Sequence, residues 1–154
     1  MSLEPWLHFA HITGAVIWVG GGVMLSIIGG RARRSGNVAL LGEFARTLSY
    51  VGLRVFTPAV VVVLVTGVWL VFAEGSGDFT QLWVLLALGA FAVAFLIGAV
   101  YLSRSAIRLE RVVSGPAPDV QAARDALGRW LLGYGVVLVV LLFALWDMVF
   151  KPGR

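Results

Sequence analysis

The chain has 154 residues, of which 60% are apolar and 13% charged, with a mean hydropathy of +0.94 and a net charge of +4. Soluble domains of this size carry about 25% charged residues, so the composition excludes a disordered chain and a nucleic-acid module and weighs against a soluble enzyme. Cysteine is absent, which removes disulfides, thiolate metal sites, iron–sulfur clusters and thiol catalysis.

Four stretches are each long enough for the about 20 apolar residues that a membrane-spanning helix needs. They run over about 6–30, 53–73, 82–102 and 131–150. Lipid offers no hydrogen-bond partner, so backbone crossing it must be helical. The predicted fold class is therefore all-α: one domain over 1–154, an integral-membrane four-helix bundle with four transmembrane helices.

The first span contains no Lys, Arg, Asp or Glu. It lacks a basic leader, and its apolar run is too long for a cleaved signal peptide. Arg31, Arg33 and Arg34 close it as a stop-transfer flank. The first linker, about 31–52, carries Leu40, Leu41, Phe44, Leu48 and Val51 at spacings of three and four. That is the period of an amphipathic helix, either continuous with the second span or lying at the interface. The second linker, from Glu74 to Asp78, reads as a turn. After the third span, Ser103 to Val113 extends the helix until Gly115, Pro116 and Pro118 break it. Asp119 to Trp130 then leads into the fourth span. No internal repeat shows beyond the shared apolar composition.

Arginine placement sets the expected orientation. Of the 12 Lys and Arg residues, only Lys151 and Arg154 lie outside linkers one and three and their flanks. Arg31, Arg33, Arg34, Arg46, Arg54, Arg104, Arg108, Arg111, Arg124 and Arg129 make up the rest. The positive-inside rule then puts both linkers in the cytoplasm, and both termini and the Glu74–Asp78 turn outside. The expected location is a bacterial plasma (inner) membrane. The positive charge reports topology, with contact to anionic membrane lipid as a second use. Trp6, Trp69, Trp83 and Trp146 fall at outward helix ends and Trp130 at an inward one, as interface belts do.

The chemistry concentrates in the first span. His8 and His11 are three residues apart and share a helix face. Trp18 follows on the same stripe, and Gly21 and Gly22 follow it. Small residues admit a neighbouring helix or a flat ligand, and polar groups in a membrane helix face the bundle interior. Phe9, Ile12, Val16, Val19 and Val23 occupy the other side. Asp147 and Met148 lie near the outward end of the fourth span, at a depth where they could join His8 and His11 in one pocket. His11 is the first choice of ligand because it lies deeper. Asp147 is then the expected partner for its second ring nitrogen. Each residue also has a plainer role. An interfacial histidine can face water, Trp18 can fill space, and Met148 can simply pack.

The run from His11 to Gly21, HITGAVIWVGG, resembles the first-helix signature of the copper-resistance CopD-like family. It equally resembles the integral membrane proteins grouped as DUF2269. Thr66-Gly67 in the second span and the ending Lys151-Pro152-Gly153 fit the DUF2269 pattern. The resemblance covers the whole chain, and it implies a small multi-pass membrane protein more than any activity. A related His-to-Trp spacing occurs in the membrane protoporphyrinogen oxidases, whose histidine is implicated with haem. This chain departs from them where Leu25 leads to Gly29-Gly30-Arg31 rather than to a basic-aromatic-His ending.

Three functions stay open on these residues. One is a haem-binding protein, with haem b on His11 and with His8 and Trp18 beside it. Only one span carries histidine, so a second imidazole ligand would come from a homo-oligomer or a membrane partner protein. Another is a copper-handling protein, with His11, His8, Asp147 and Met148 as candidate metal ligands. The last is a structural or assembly subunit without ligand chemistry. No polar chain crosses the bilayer, which argues against ion transport.

Overall fold

The computed structural model describes residues 3–73 and 79–153. The Glu74–Asp78 turn and Arg154, which the topology reading places outside, lie beyond the described residues. Helix α1 spans Glu4–Ser35, α2 Val38–Val51, α3 Thr57–Ala73, α4 Leu82–Leu96, α5 Ser103–Ser114 and α6 Val120–Phe150. Two π-helical turns, Gly52–Phe56 and Ile97–Leu102, join α2 to α3 and α4 to α5 without a break. The result is four continuous helices, each long and apolar enough to cross a membrane. No strand occurs among the described residues.

The helices outrun the predicted spans at the arginine-rich end. Arg31, Arg33 and Arg34 stay within α1, and the amphipathic stretch from Val38 is the first half of the second long helix. Gly36 ends α1 with a left-handed φ of 63°, and Asn37 caps α2 by accepting from the Ala39 and Leu40 amides. The last carbonyls of a helix have no partner within it. Here Arg124 supplies one, donating to the Arg33 carbonyl at 3.0 Å and the Arg34 carbonyl at 3.2 Å. Arg33 answers with a 3.0 Å bond to the Arg124 carbonyl. A Cβ at Gly36 would lie 2.5 Å from the Arg124 guanidinium. The exchange fastens the end of α1 to the start of α6, antiparallel.

Each π-turn carries a hydroxyl five residues after a glycine. Thr57 donates to the Gly52 carbonyl at 3.0 Å, and Ser103 to the Gly98 carbonyl at 3.1 Å. Pro58 gives the first turn a cause, since a proline cannot donate back and crowds the preceding turn.

Helix α6 runs through the middle of the bundle. Its buried stripe is Ala123, Ala126, Leu127, Trp130, Gly133, Tyr134, Val137, Ala144 and Asp147. Helix α1 packs on α3 and α6, α4 and α5 pack on α6, and α2 packs on α5 at the arginine-rich end. Helices α3 and α4 make no extended contact. Between them opens a crevice of about 570 Å³. Outward faces are apolar: Phe9, Ile12, Val16 and Val23 of α1 are exposed, as lipid contact requires.

Two tryptophans leave the expected belts. Trp130 is buried at 3% exposure, in a stack with Tyr134 at 5.3 Å. Trp83 is buried too. Its indole N–H donates to Gln81 at 2.6 Å and the Lys151 ammonium lies 4.8 Å over its ring, so its polar edge and π face are both satisfied inside the protein. Trp6, Trp69 and Trp146 are exposed, as a belt needs.

Candidate functional site

Helix α1 meets α3 through small residues. A Cβ at Gly14 would lie 2.9 Å from Val63 Cγ2 and 3.1 Å from the Ala59 carbonyl. A Cβ at Gly67 would lie 3.0 Å from Cε1 of His11. Close backbone approach thus needs glycine at both points, and the His11 ring occupies the notch that Gly67 leaves.

The hydrogen bonds fix the state of that ring. His11 Nδ1 lies 3.0 Å from Thr66 Oγ1, which lies 2.5 Å from the Val62 carbonyl. A carbonyl only accepts, so the single hydroxyl hydrogen of Thr66 points at Val62. Thr66 therefore accepts from His11, and Nδ1 carries the proton. This assignment follows from the network of heavy atoms. The ring lone pair is left on Nε2, and the Val63 backbone carbonyl is a further neighbour of the ring. Imidazole ligates a metal in this form, with one nitrogen anchored and the other bare.

A cavity of about 60 Å³ adjoins the ring. His11, Gly67, Val71, Leu88, Phe91 and Met148 help to line it. Met148 of the fourth span thus lines the same cavity as His11. The other candidates stand elsewhere. His8 is half-buried and turns back on its own helix, donating from Nδ1 to the Glu4 carbonyl at 3.1 Å. Trp18 is buried two turns away, edge-on to Phe91 at 6.0 Å, and lines the large crevice rather than the small cavity.

Asp147 departs furthest from expectation. It is fully buried, and neither carboxyl oxygen has a hydrogen-bond partner among the described residues. The role expected of it, holding the second nitrogen of His11, belongs to Thr66. The register shows its depth. Arg33 meets Arg124, and a Cβ at Gly22 would collide with Tyr134. Counting on from those pairs puts Asp147 level with Phe9, about 20 Å beyond Tyr134. It therefore sits at the height of the histidines without lining their cavity. Among the described residues no three His, Asp or Glu side chains gather as a metal site. His11 and Met148 are the members of the cavity lining whose side chains carry metal-ligating atoms.

Thr66 and Gly67 are the residues that sequence reasoning left without a role. Their signal is a hydroxyl beside a glycine in an otherwise apolar span, on the helix that pairs with the histidine.

The family model described as "Predicted integral membrane protein (DUF2269)" matches residues 5–152. The chain belongs to the DUF2269 family. Its matched region takes in the whole helical bundle, His11, Thr66, Gly67 and Met148 included. No curated protein and no solved structure matches this DUF2269 chain. As a DUF2269 protein it is an integral, multi-pass membrane protein, and its exposed apolar faces sit in lipid.

Proposed function

We propose that this protein binds a single copper ion, in its reduced state, through His11 Nε2 and the Met148 thioether. The observation that carries the reading is the His11–Thr66–Val62 chain of hydrogen bonds, which leaves the lone pair on Nε2 of a ring that lines a cavity together with Met148. Imidazole with a soft thioether suits monovalent copper. The size of the cavity favours an ion over haem. Sites for small molecules run to about 300–1,000 Å³, whereas this one measures about 60 Å³. The likeness of the first helix to CopD-like proteins agrees with a copper role. Arginine placement supports a site facing outward in a bacterial inner membrane, with both termini on that side.

Metal analysis and an absorbance spectrum of protein expressed with copper and haem precursors both supplied test the reading. The expected result is equimolar copper in the wild type, loss in His11→Ala, weaker retention in Met148→Leu and no change in His8→Ala. Copper-free wild-type protein, or copper retained in His11→Ala, overturns it and leaves a structural or assembly subunit. A Soret band that vanishes with His11→Ala would assign haem instead.

A further inference from the structure

The crevice between α3 and α4 lies at the arginine-rich half of the bundle, away from His11. Its walls run from Leu48 to Val61 on one side and from Ala94 to Ile107 on the other. Thirteen helical residues make it about 20 Å long, about the depth of one leaflet with its headgroup region. The lining is small where a larger side chain would close it. Gly52, Gly98, Ala94, Ala99 and Ala106 all contribute, and a Cβ on either glycine would meet nothing within 4 Å.

The hydroxyls of the lining are engaged. π-Turns disturb the regular ladder, and a carbonyl facing lipid needs a donor. Thr57 and Ser103 bond the Gly52 and Gly98 carbonyls. The Tyr134 hydroxyl donates to the Trp18 carbonyl at 2.8 Å. Ser49 donates to Glu110 at 3.1 Å. What remains is a mainly apolar slot, in which the Trp18 and Trp130 indoles are the donors without a hydrogen bond among the described residues.

Beside the crevice the charge changes. Arg54, Arg104 and Arg108 directly follow the lining residues Leu53, Ser103 and Ile107 in sequence, and all three are exposed. Arg54 lies 5.7 Å over the Tyr50 ring, while Arg104 and Arg108 form no ion pair among the described residues. The carboxylates nearby are engaged, Glu43 by Arg46 and Glu110 by Ser49. An apolar slot about one leaflet long, flanked by exposed cations, complements the acyl chain and the anionic headgroup of a phospholipid. We propose that the crevice binds an anionic phospholipid, with an acyl chain between the two π-turns and the phosphate against Arg54, Arg104 and Arg108. This site is independent of the copper reading.

Native mass spectrometry of the full chain, released from bilayer discs of equal phosphatidylglycerol and phosphatidylcholine with matched chains, tests the proposal. Wild-type protein should retain phosphatidylglycerol over phosphatidylcholine by about tenfold, the effect of one or two cationic contacts. Gly98→Leu fills open space and should lose retention of both lipids. The double variant R104Q/R108Q should keep a lipid and lose the preference. Because a filled crevice could also unsettle the fold, wild-type protein supplies a second reading. Chain-brominated phosphatidylglycerol should quench the buried Trp18 and Trp130, and brominated phosphatidylcholine should not. Equal retention of the two lipids, unchanged retention in Gly98→Leu, or equal quenching by both brominated lipids overturns the proposal.

Discussion

Replacing Gly22 with alanine tests the way α1 and α6 interlock. A Cβ at this position would stand 1.6 Å from the Tyr134 hydroxyl oxygen and 1.8 Å from Cζ. Both are far inside contact distance, and both atoms belong to a ring that is itself only 1% exposed. The ring must leave. It then loses its bond to the Trp18 carbonyl and its stacks on Trp130 and Phe56. A hydrogen bond between membrane helices contributes about 0.6 kcal/mol, and each aromatic pair about 0.5–1.5 kcal/mol. Overpacking strain adds about 1–3 kcal/mol. The sum is a loss of about 3–7 kcal/mol. Gly20→Ala is the control, since a Cβ there meets nothing within 4 Å; helix propensity alone makes it neutral or up to about 1 kcal/mol stabilising. Reversible denaturation in mixed micelles measures both. Tyr134→Ala should remove most of the penalty of Gly22→Ala, as a double-mutant cycle reads directly. If Gly22→Ala proves as mild as Gly20→Ala, or if the cycle shows no coupling, α1 and α6 do not pack as described.

Thr66→Val keeps the shape and removes the acceptor for His11 Nδ1, so copper affinity should fall about 10–100-fold, the range for losing an outer partner of a ligand; competition against a copper chelator measures it. Arg124→Gln should free the last carbonyls of α1, and amide exchange over residues 30–36 should rise there and not in α4. A reporter fused after Arg154 should be active outside the cytoplasm and one inserted at Gly115–Pro118 inside it; a cytoplasmic C-terminal reporter would reverse the orientation drawn from the arginines.

Spans, fold class and buried face were legible because membrane burial is a strong, local signal. Trp18 and Gly22 lie on the predicted inward stripe, and Phe9, Ile12 and Val16 on the predicted lipid face. Helix ends were less legible, because the arginines that end an apolar span do not end a helix. Trp83 and Trp130 were misplaced because sequence gives depth along the membrane and not direction around the helix. The partner of His11 was hidden for a related reason. Thr66 lies 55 residues away, and only the pairing of α1 with α3 makes it a neighbour. Asp147 looked like a solvent or ligand-facing carboxylate, yet its position on the α6 stripe with Ala144 and Val137 already implied burial. The hydroxyl five residues after Gly52 and again after Gly98 was readable in the sequence, but only as a repeat of spacing, not of composition.

Those two turns also act as phase settings. A π-turn holds one residue more than the α-turn it replaces, and each helical residue is worth about 100° of rotation. Deleting a single residue between Leu53 and Val55 would leave Leu41, Phe44 and Leu48 in place while swinging Thr66 and Gly67 about a quarter-turn away from His11. The state of one imidazole is therefore held by a residue count about 20 Å away along the second helix, and length there is as much a part of the site as any side chain in it.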